Sequence, residues 1–359
     1  MPNIRCISHT LNFTFSAGTS RGVMHDHITH FLVIEQDGRR GIGECAPLPG
    51  LSIDALPDFR EKVARMAQTI AQSPFPTNDT EITELVERIP PTLPAIRFGA
   101  EVAWRDWLYG GTRTLYPSVM YPKFAPLPIN GLVWMGSHEA MRRQIDEKID
   151  AGFTCVKLKI GALDFDEELR LLAYVREHYS PETITLRVDA NGAFSPHDAL
   201  SKLHQLARYD LHSIEQPIAA GQWESMASLC RDSPVPIALD EELIGSLNRQ
   251  DKEKMLDVIS PQYIILKPTL VGGLAAAHEW IALAEARHIG WWATSALESS
   301  IGLNAIAQWV ATYSPSLPQG LGTGQLYHNN IESPIQIDRG YLVYDTYRNW
   351  DLSLFQQTS

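Results

Sequence analysis

From about residue 150 onward the chain repeats one unit: a short apolar run closed by a polar residue, then an amphipathic stretch. The apolar runs are 154–160, 185–188, 213–214, 237–239, 263–266 and 291–294, and the polar residues at or near their ends are Lys159, Asp189, Glu215, Asp240, Lys267 and Ser295. Successive steps between these six are 30, 26, 25, 27 and 28 residues, close to one strand plus one crossover helix. Segments 274–287 and 299–311 carry the helical periodicity such crossovers need. Alternating strand and helix specify a parallel α/β sheet. In a (β/α) barrel the carboxyl ends of all strands open on one mouth. A TIM-type barrel is therefore expected for this half, with the six polar residues in one ring.

Three carboxylates on adjacent strand ends repel one another, and burial without a partner would drive them to take up protons. Any one of them alone is an ordinary helix cap at a strand-to-helix junction. Three in succession, flanked by lysines, require a divalent cation. Oxygen donors without His or Cys favour a hard ion, Mg2+, with Mn2+ as a substitute, so Asp189, Glu215 and Asp240 are the expected metal ligands. Lys157 and Lys159 lie two apart on a strand whose other face is Val156, Leu158 and Ile160, so both project into the barrel. Neighbouring ammonium groups oppose each other's charge, which makes one of the pair a candidate base; Lys159 is the nearer to the mouth. Lys267 follows Tyr263-Ile-Ile-Leu, precedes Pro268 and stands across the ring. A base and a cation on opposite sides of a metal suit removal of a proton alpha to a carboxylate, the metal and Lys267 stabilising the enediolate-like charge. The alternative is a binding module without catalysis, which would have no use for buried charges whose desolvation is strongly unfavourable.

The first 120 residues are organised differently. Residues 4–15 and 28–36 are rich in β-formers, and Asp37-Gly38 makes a hairpin turn into a third run ending near Cys45. Between the first two runs, 16–27 contains Gly18, Gly22 and two histidines and is expected to be a mobile connection, a lid in which Arg21 could meet a substrate carboxylate. His25, His27 and His30 are expected in surface or strand roles. Phe59, Val63, Met66 and Ile70, then Ile96, Ala100, Ala103 and Trp107, recur at helical spacing. Strands followed by helices describe an α+β domain over 1–120. Prolines 117, 122, 126 and 128, expected to be refused by helix and central strand alike, mark its boundary with a barrel over 121–328. Residues 329–359 are expected to pack back on the first domain.

The net charge of -12, with no dense Lys/Arg run, argues against a nucleic-acid groove or an anionic membrane surface and for a small molecule as partner, which the proton abstraction read from the ring makes a carboxylate. There is no secretory start and no run near the ~18 apolar residues that span a bilayer, so a cytoplasmic location is expected. Cys6, Cys45, Cys155 and Cys230 form no C-x-x-C pair and are expected as free thiols, and Trp291-Trp292 as core. Oligomeric state leaves no mark in the sequence.

In Lys157-Leu158-Lys159, Val188-Asp189-Ala190-Asn191, Glu215-Gln216-Pro217, Leu239-Asp240-Glu241 and Leu266-Lys267-Pro268 the chain resembles the enolase superfamily and, within it, the muconate-lactonising group. The likeness extends to Gly41-Ile-Gly-Glu-Cys-Ala-Pro-Leu-Pro-Gly50, which resembles the strand and loop of that family's capping domain; Glu44 is expected to be structural. It implies a modified, enolase-like barrel under an α+β cap, with Lys159 as acid and base, Lys267 as electrostatic partner, and Lys157 and Asn191 in support. Ser295-Ala-Leu-Glu-Ser-Ser-Ile-Gly302 and Gly322-Thr323-Gly324 resemble members that remove water from 2-succinyl-6-hydroxy-2,4-cyclohexadiene-1-carboxylate, which implies that Ser295, Gly322 and Thr323 contact the succinyl tail. Dipeptide epimerases of the group carry Asp-x-Asp where this chain has Gly322-Thr323-Gly324, which excludes their activity. N-succinylamino acid racemisation uses the same ring and stays open as the alternative.

Overall fold

A computed structural model describes residues 3–19, 22–120 and 124–356. Strands β1 (Asn3–Thr19), β2 (Gly22–Gln36) and β3 (Arg39–Cys45) form an antiparallel sheet in that order. Asp37 and Gly38, with φ of 53° and 74°, make the turn into β3, a backbone that Asp-Gly adopts readily. Helices α1 (Phe59–Ala71), α2 (Asp79–Glu87) and α3 (Pro94–Leu108) cover one face, burying Val63, Ile70, Ile96, Ala100 and Ala103 with Leu32 and Ile34 of the sheet. Helix α3 lies so close to β3 that a Cβ on Gly43 would stand 1.8 Å from the Gly99 carbonyl oxygen. Only glycine permits that approach.

The segment expected to be an irregular lid is instead the tip of a strand hairpin. After a register shift between Asn12 and Ala17, Ala17 pairs with Met24, Gly18 with Val23 and Thr19 with Gly22. Its glycine content has a packing cause: a Cβ on Gly18 would lie 2.9 Å from the Met135 carbonyl oxygen, and the Met135 amide donates to the Gly18 carbonyl at 3.3 Å. Arg21 lies outside the described residues.

Proline also behaves differently from expectation. Pro117 opens a single helical turn, α4 (Pro117–Met120), where its missing N–H has no intrahelical partner to lose. Pro128 sits in the two-residue strand β4 (Leu127–Pro128).

Beyond it the parallel strands are β5 (Gly131–Val133), β6 (Cys155–Lys159), β7 (Thr185–Asp189), β8 (Ser213–Glu215), β9 (Ile237–Leu239), β10 (Tyr263–Leu266) and β11 (Gly290–Ala293), hydrogen-bonded in sequence order. They alternate with α5 (His138–Asp150), α6 (Phe165–His178), α7 (Ala199–Leu206), α8 (Trp223–Asp232), α9 (Arg249–Ile259), the short α10 (Pro268–Val271) and α11 (Leu274–Glu285), and α12 (Ser300–Ala311) follows β11. The ring is closed by two parallel bridges, Ile129 to Gln319 and Thr294 to Gly320, so residues 319–320 do the work of an eighth strand. The main core lies between strands and helices. Inside the barrel, below the mouth, the Arg187 guanidinium stacks on Trp292 at 4.0 Å.

The last part of the chain touches both halves. β12 (Ile335–Asp338) and β13 (Tyr341–Tyr344) form a small sheet with β4, while Phe355 is buried against Phe31 of the cap, ring centroids 5.1 Å apart. Among the described residues no helix is long and apolar enough to cross a membrane.

Candidate active site

The in-register pairing of β6, β7 and β8 sets Lys159, Asp189 and Glu215 side by side at the strand ends. Asp240 and Lys267 each follow directly on the last residue of β9 and β10. All five side chains are buried or nearly so. Lys157 Nζ donates to Asp189 Oδ2 at 3.0 Å and to Glu215 Oε2 at 2.6 Å. Lys159 Nζ donates to the same Asp189 oxygen at 2.5 Å and to Asn191 Oδ1 at 2.8 Å. Lys267 pairs with Asp240, and Asn191 Nδ2 reaches Glu241 at 3.0 Å. The structure thus brings together five of the six ring residues expected from the spacing, and the sixth, Ser295, lines a pocket with Lys159, Glu215 and Lys267.

At Lys157 burial, which opposes charge, is outweighed by Asp189 and Glu215, and the pKa is raised; the base expected of the pair is Lys159. Lys267 is raised too, Asp240 outweighing its burial. Burial pushes Asp189 upward but Lys157 and Lys159 prevail and hold it low. Glu215 goes the other way, up to about 8, because burial and the Asp189 charge exceed what Lys157 returns.

These residues fit a divalent cation. The donors are carboxylate oxygens on three adjacent strand ends, and Glu215 Oε1 is buried with no hydrogen-bond partner. Among the described residues no three acidic, His or Cys side chains already converge as an ion cage, and Lys157 and Lys159 donate to the Asp189 and Glu215 oxygens. Asp189, Glu215 and Asp240 would hold the ion, whose hard character suits an all-oxygen set.

A pocket opens over the ring. Val23 and Met24 of the hairpin and Leu48 and Leu51 of the cap form an apolar roof, and Lys157, Lys159, Glu215 and Lys267 lie at its base. Gly322 and Thr323 line it, as does Asn130, which the sequence reading missed. Asn130 Oδ1 and Thr323 Oγ1 are both buried without a hydrogen-bond partner. Ser295 also lines the pocket, but its hydroxyl donates to Glu298 Oε2 at 2.5 Å and accepts from the Leu297 amide at 2.9 Å. Its proton is therefore committed inward rather than offered to a ligand.

The seam between cap and barrel runs along the same wall. Glu44 of β3 accepts from Thr29, from the Ser299 amide and hydroxyl, and from the Gly302 amide. Glu298 accepts from Thr269 as well as from Ser295 and the Ala296 amide. His27, buried on β2, has Nδ1 3.0 Å from the Leu297 carbonyl oxygen and Nε2 3.3 Å from that of Pro47, and Tyr327 donates to the Leu297 carbonyl at 2.7 Å.

The enolase C-terminal domain-like family matches residues 140–346. The chain is 46% identical over 354 residues to an o-succinylbenzoate synthase of Desulfotalea psychrophila, covering 92% of this chain and 96% of that one. It is 28% identical over 316 residues to an N-succinylamino acid racemase of Thermus thermophilus, covering 83% and 79%. The crystal structure of MenC from Desulfotalea psychrophila superposes with a TM-score of 0.83 at 42% identity, covering 95% of this chain and 99% of that one.

Proposed function

The chain belongs to the enolase superfamily, whose members use a divalent metal, and from that premise we propose that it is an o-succinylbenzoate synthase. The reaction is loss of water from 2-succinyl-6-hydroxy-2,4-cyclohexadiene-1-carboxylate, a step of menaquinone biosynthesis carried out in the cytoplasm. The observation that carries this reading is the near full-length 46% identity to a synthase, in a chain that keeps both lysines and all three carboxylates at the base of one roofed pocket.

Asp189, Glu215 and Asp240 would hold Mg2+, which when bound would supply the positive charge against which a carboxylate becomes a better carbon acid. Lys159, once it has shed its proton, takes the hydrogen alpha to the substrate carboxylate. The electron pair of that C–H bond forms the enediolate, and Lys267, across the ring, stabilises its charge. Lys159, now protonated, returns the proton to the departing hydroxyl on the same face, so that a C–O bond breaks, water leaves and the ring becomes aromatic. Lys157 balances the charges of Asp189 and Glu215. Asn191 orients Lys159 through its Oδ1. The apolar roof of Val23, Met24, Leu48 and Leu51 excludes water from the enediolate.

The test is incubation with the cyclohexadiene substrate and Mg2+, following aromatic product in the ultraviolet, alongside N-succinyl amino acids in deuterated water. Rapid aromatisation is expected. Fast α-deuteration of the amino acids with negligible aromatic product would make the protein a racemase and sink the synthase reading.

A further inference from the structure

Glu44, fully buried on β3, makes four hydrogen bonds and is the acceptor in all of them. Thr29 Oγ1 at 2.9 Å and the Ser299 amide at 2.8 Å meet Oε1; the Ser299 hydroxyl at 2.5 Å and the Gly302 amide at 2.8 Å meet Oε2. A hydroxyl can rotate to accept, but a backbone N–H cannot. One such amide and one hydroxyl face each carboxylate oxygen, so a proton on either oxygen can be received only by a hydroxyl, which gives up its own bond to Glu44, and both amides are left on a neutral, weaker acceptor. Both amides belong to the head of α12, where the first N–H groups lack intrahelical acceptors and the helix dipole favours negative charge. The cap thus supplies the charge that terminates a barrel helix, and the chain leading into that helix carries Ser295 and Leu297 into the pocket wall. Leu297 is held there with φ of 66°, a left-handed backbone that a leucine adopts only under constraint.

We propose that Glu44 is a positioning residue: its ionised carboxylate, seated at the head of α12, sets the 295–299 segment and with it one wall of the substrate pocket. Burial raises the Glu44 carboxyl to about 7 against the pull of its Ser299 and Gly302 hydrogen bonds, and Glu298 nearby adds to the rise. The other ionisable groups facing it are Tyr327, beyond the last barrel bridge, and Cys45, next to it on β3; His27 of β2 joins the same segment, and α12 itself carries no charged side chain. The sign follows: above neutral pH the ionised form holds both amides with charge-assisted bonds, and as the pH falls through about 7 protonation weakens both and loosens the wall.

The assay of binding rests on the proposed function, but the order of the segment is readable without substrate. Hydrogen exchange of a peptide spanning 295–303 is measured for the wild-type holoenzyme and Glu44→Gln at about pH 8 and about pH 6, corrected for intrinsic rates. Protection in the wild type should fall about tenfold between the two, and Glu44→Gln should show the lower protection at both, as loss of charge from the acceptor of both amides predicts. KM of the variant for the cyclohexadiene carboxylate should rise about tenfold while kcat changes less than about threefold, the mark of lost ground-state binding rather than lost chemistry. Equal wild-type protection at both pH values, or a variant that matches wild type, overturns the proposal. If Glu44→Gln does not fold, Ser299→Ala, which removes one hydroxyl and keeps both amides, must move the loss of protection to higher pH; an unmoved transition likewise overturns it. Wild-type protein that never turns over the substrate refutes the synthase reading and leaves this inference to be decided by exchange.

Discussion

At the scale of single residues the two lysines have separable parts. Lys159→Ala should lower kcat by about a thousandfold, within the range that general acid–base groups supply, while Lys267→Ala should lower it by about a hundredfold to a thousandfold through lost charge stabilisation. Steady-state rates with the cyclohexadiene substrate check both, with circular dichroism to establish folding. The ring was legible because strand ends recur at a readable interval. The tie of Lys157 to Asp189 and Glu215 was not, because the spacing places the carboxylates on the ring without telling which lysine engages them. Asn130, Glu298 and the partners of Glu44 were hidden likewise: each acquires meaning from a residue distant in the chain. Histidines provide a second test. His30 is pushed down to about 4 by burial with Arg60 assisting, and His212 to about 4 by burial with Arg187 assisting, from an ordinary 6.5. The folded state favours their neutral form, so the stability they contribute is present above pH 6.5 and is lost as pH falls towards 4. Tm should therefore drop across that window, and the drop should be shallower in a His30→Gln, His212→Gln double variant.

Between elements, the tightest constraint is the contact of β3 with α3. Gly43→Ala places a methyl group 1.8 Å from the Gly99 carbonyl oxygen and should destabilise the protein by about 3 kcal/mol, seen as a lower urea midpoint. Gly136→Ala, whose Cβ would meet Ala140 at an ordinary 3.5 Å, should leave the midpoint within the error of about 0.5 kcal/mol. This contrast also explains what the sequence disclosed of the elements. Six barrel strands were readable as apolar runs. The hairpin tip was misread because a glycine needed for close approach looks the same in sequence as one that confers looseness, and only Met135 lying against Gly18 distinguishes them. The closing strand escaped notice because Gln319 and Gly320 make no apolar run at all.

For the whole molecule, cap and barrel were both anticipated, the barrel from periodicity and its enolase-like form from family likeness, whereas the way the cap terminates α12 was not. Assembly around the ion is open to measurement. Added Mg2+ should raise Tm in proportion to the logarithm of its concentration, chelation should abolish turnover, and Asp240→Asn should remove the thermal shift and, by leaving Lys267 without its buried partner, lower the metal-free Tm as well. A constant Tm across Mg2+ concentrations would contradict an ion site at the three carboxylates. The two bridges that close the barrel, from Ile129 to Gln319 and from Thr294 to Gly320, have a further consequence for how the protein comes into being. The first joins positions roughly 190 residues apart, so a nascent chain carries its cap and seven strands into the open before the ring can shut. During that interval β5 and β11 present unpaired edges, and a ribosome pausing ahead of Gln319 would prolong the stage at which the newborn chain is most exposed to aggregation and to capture by chaperones.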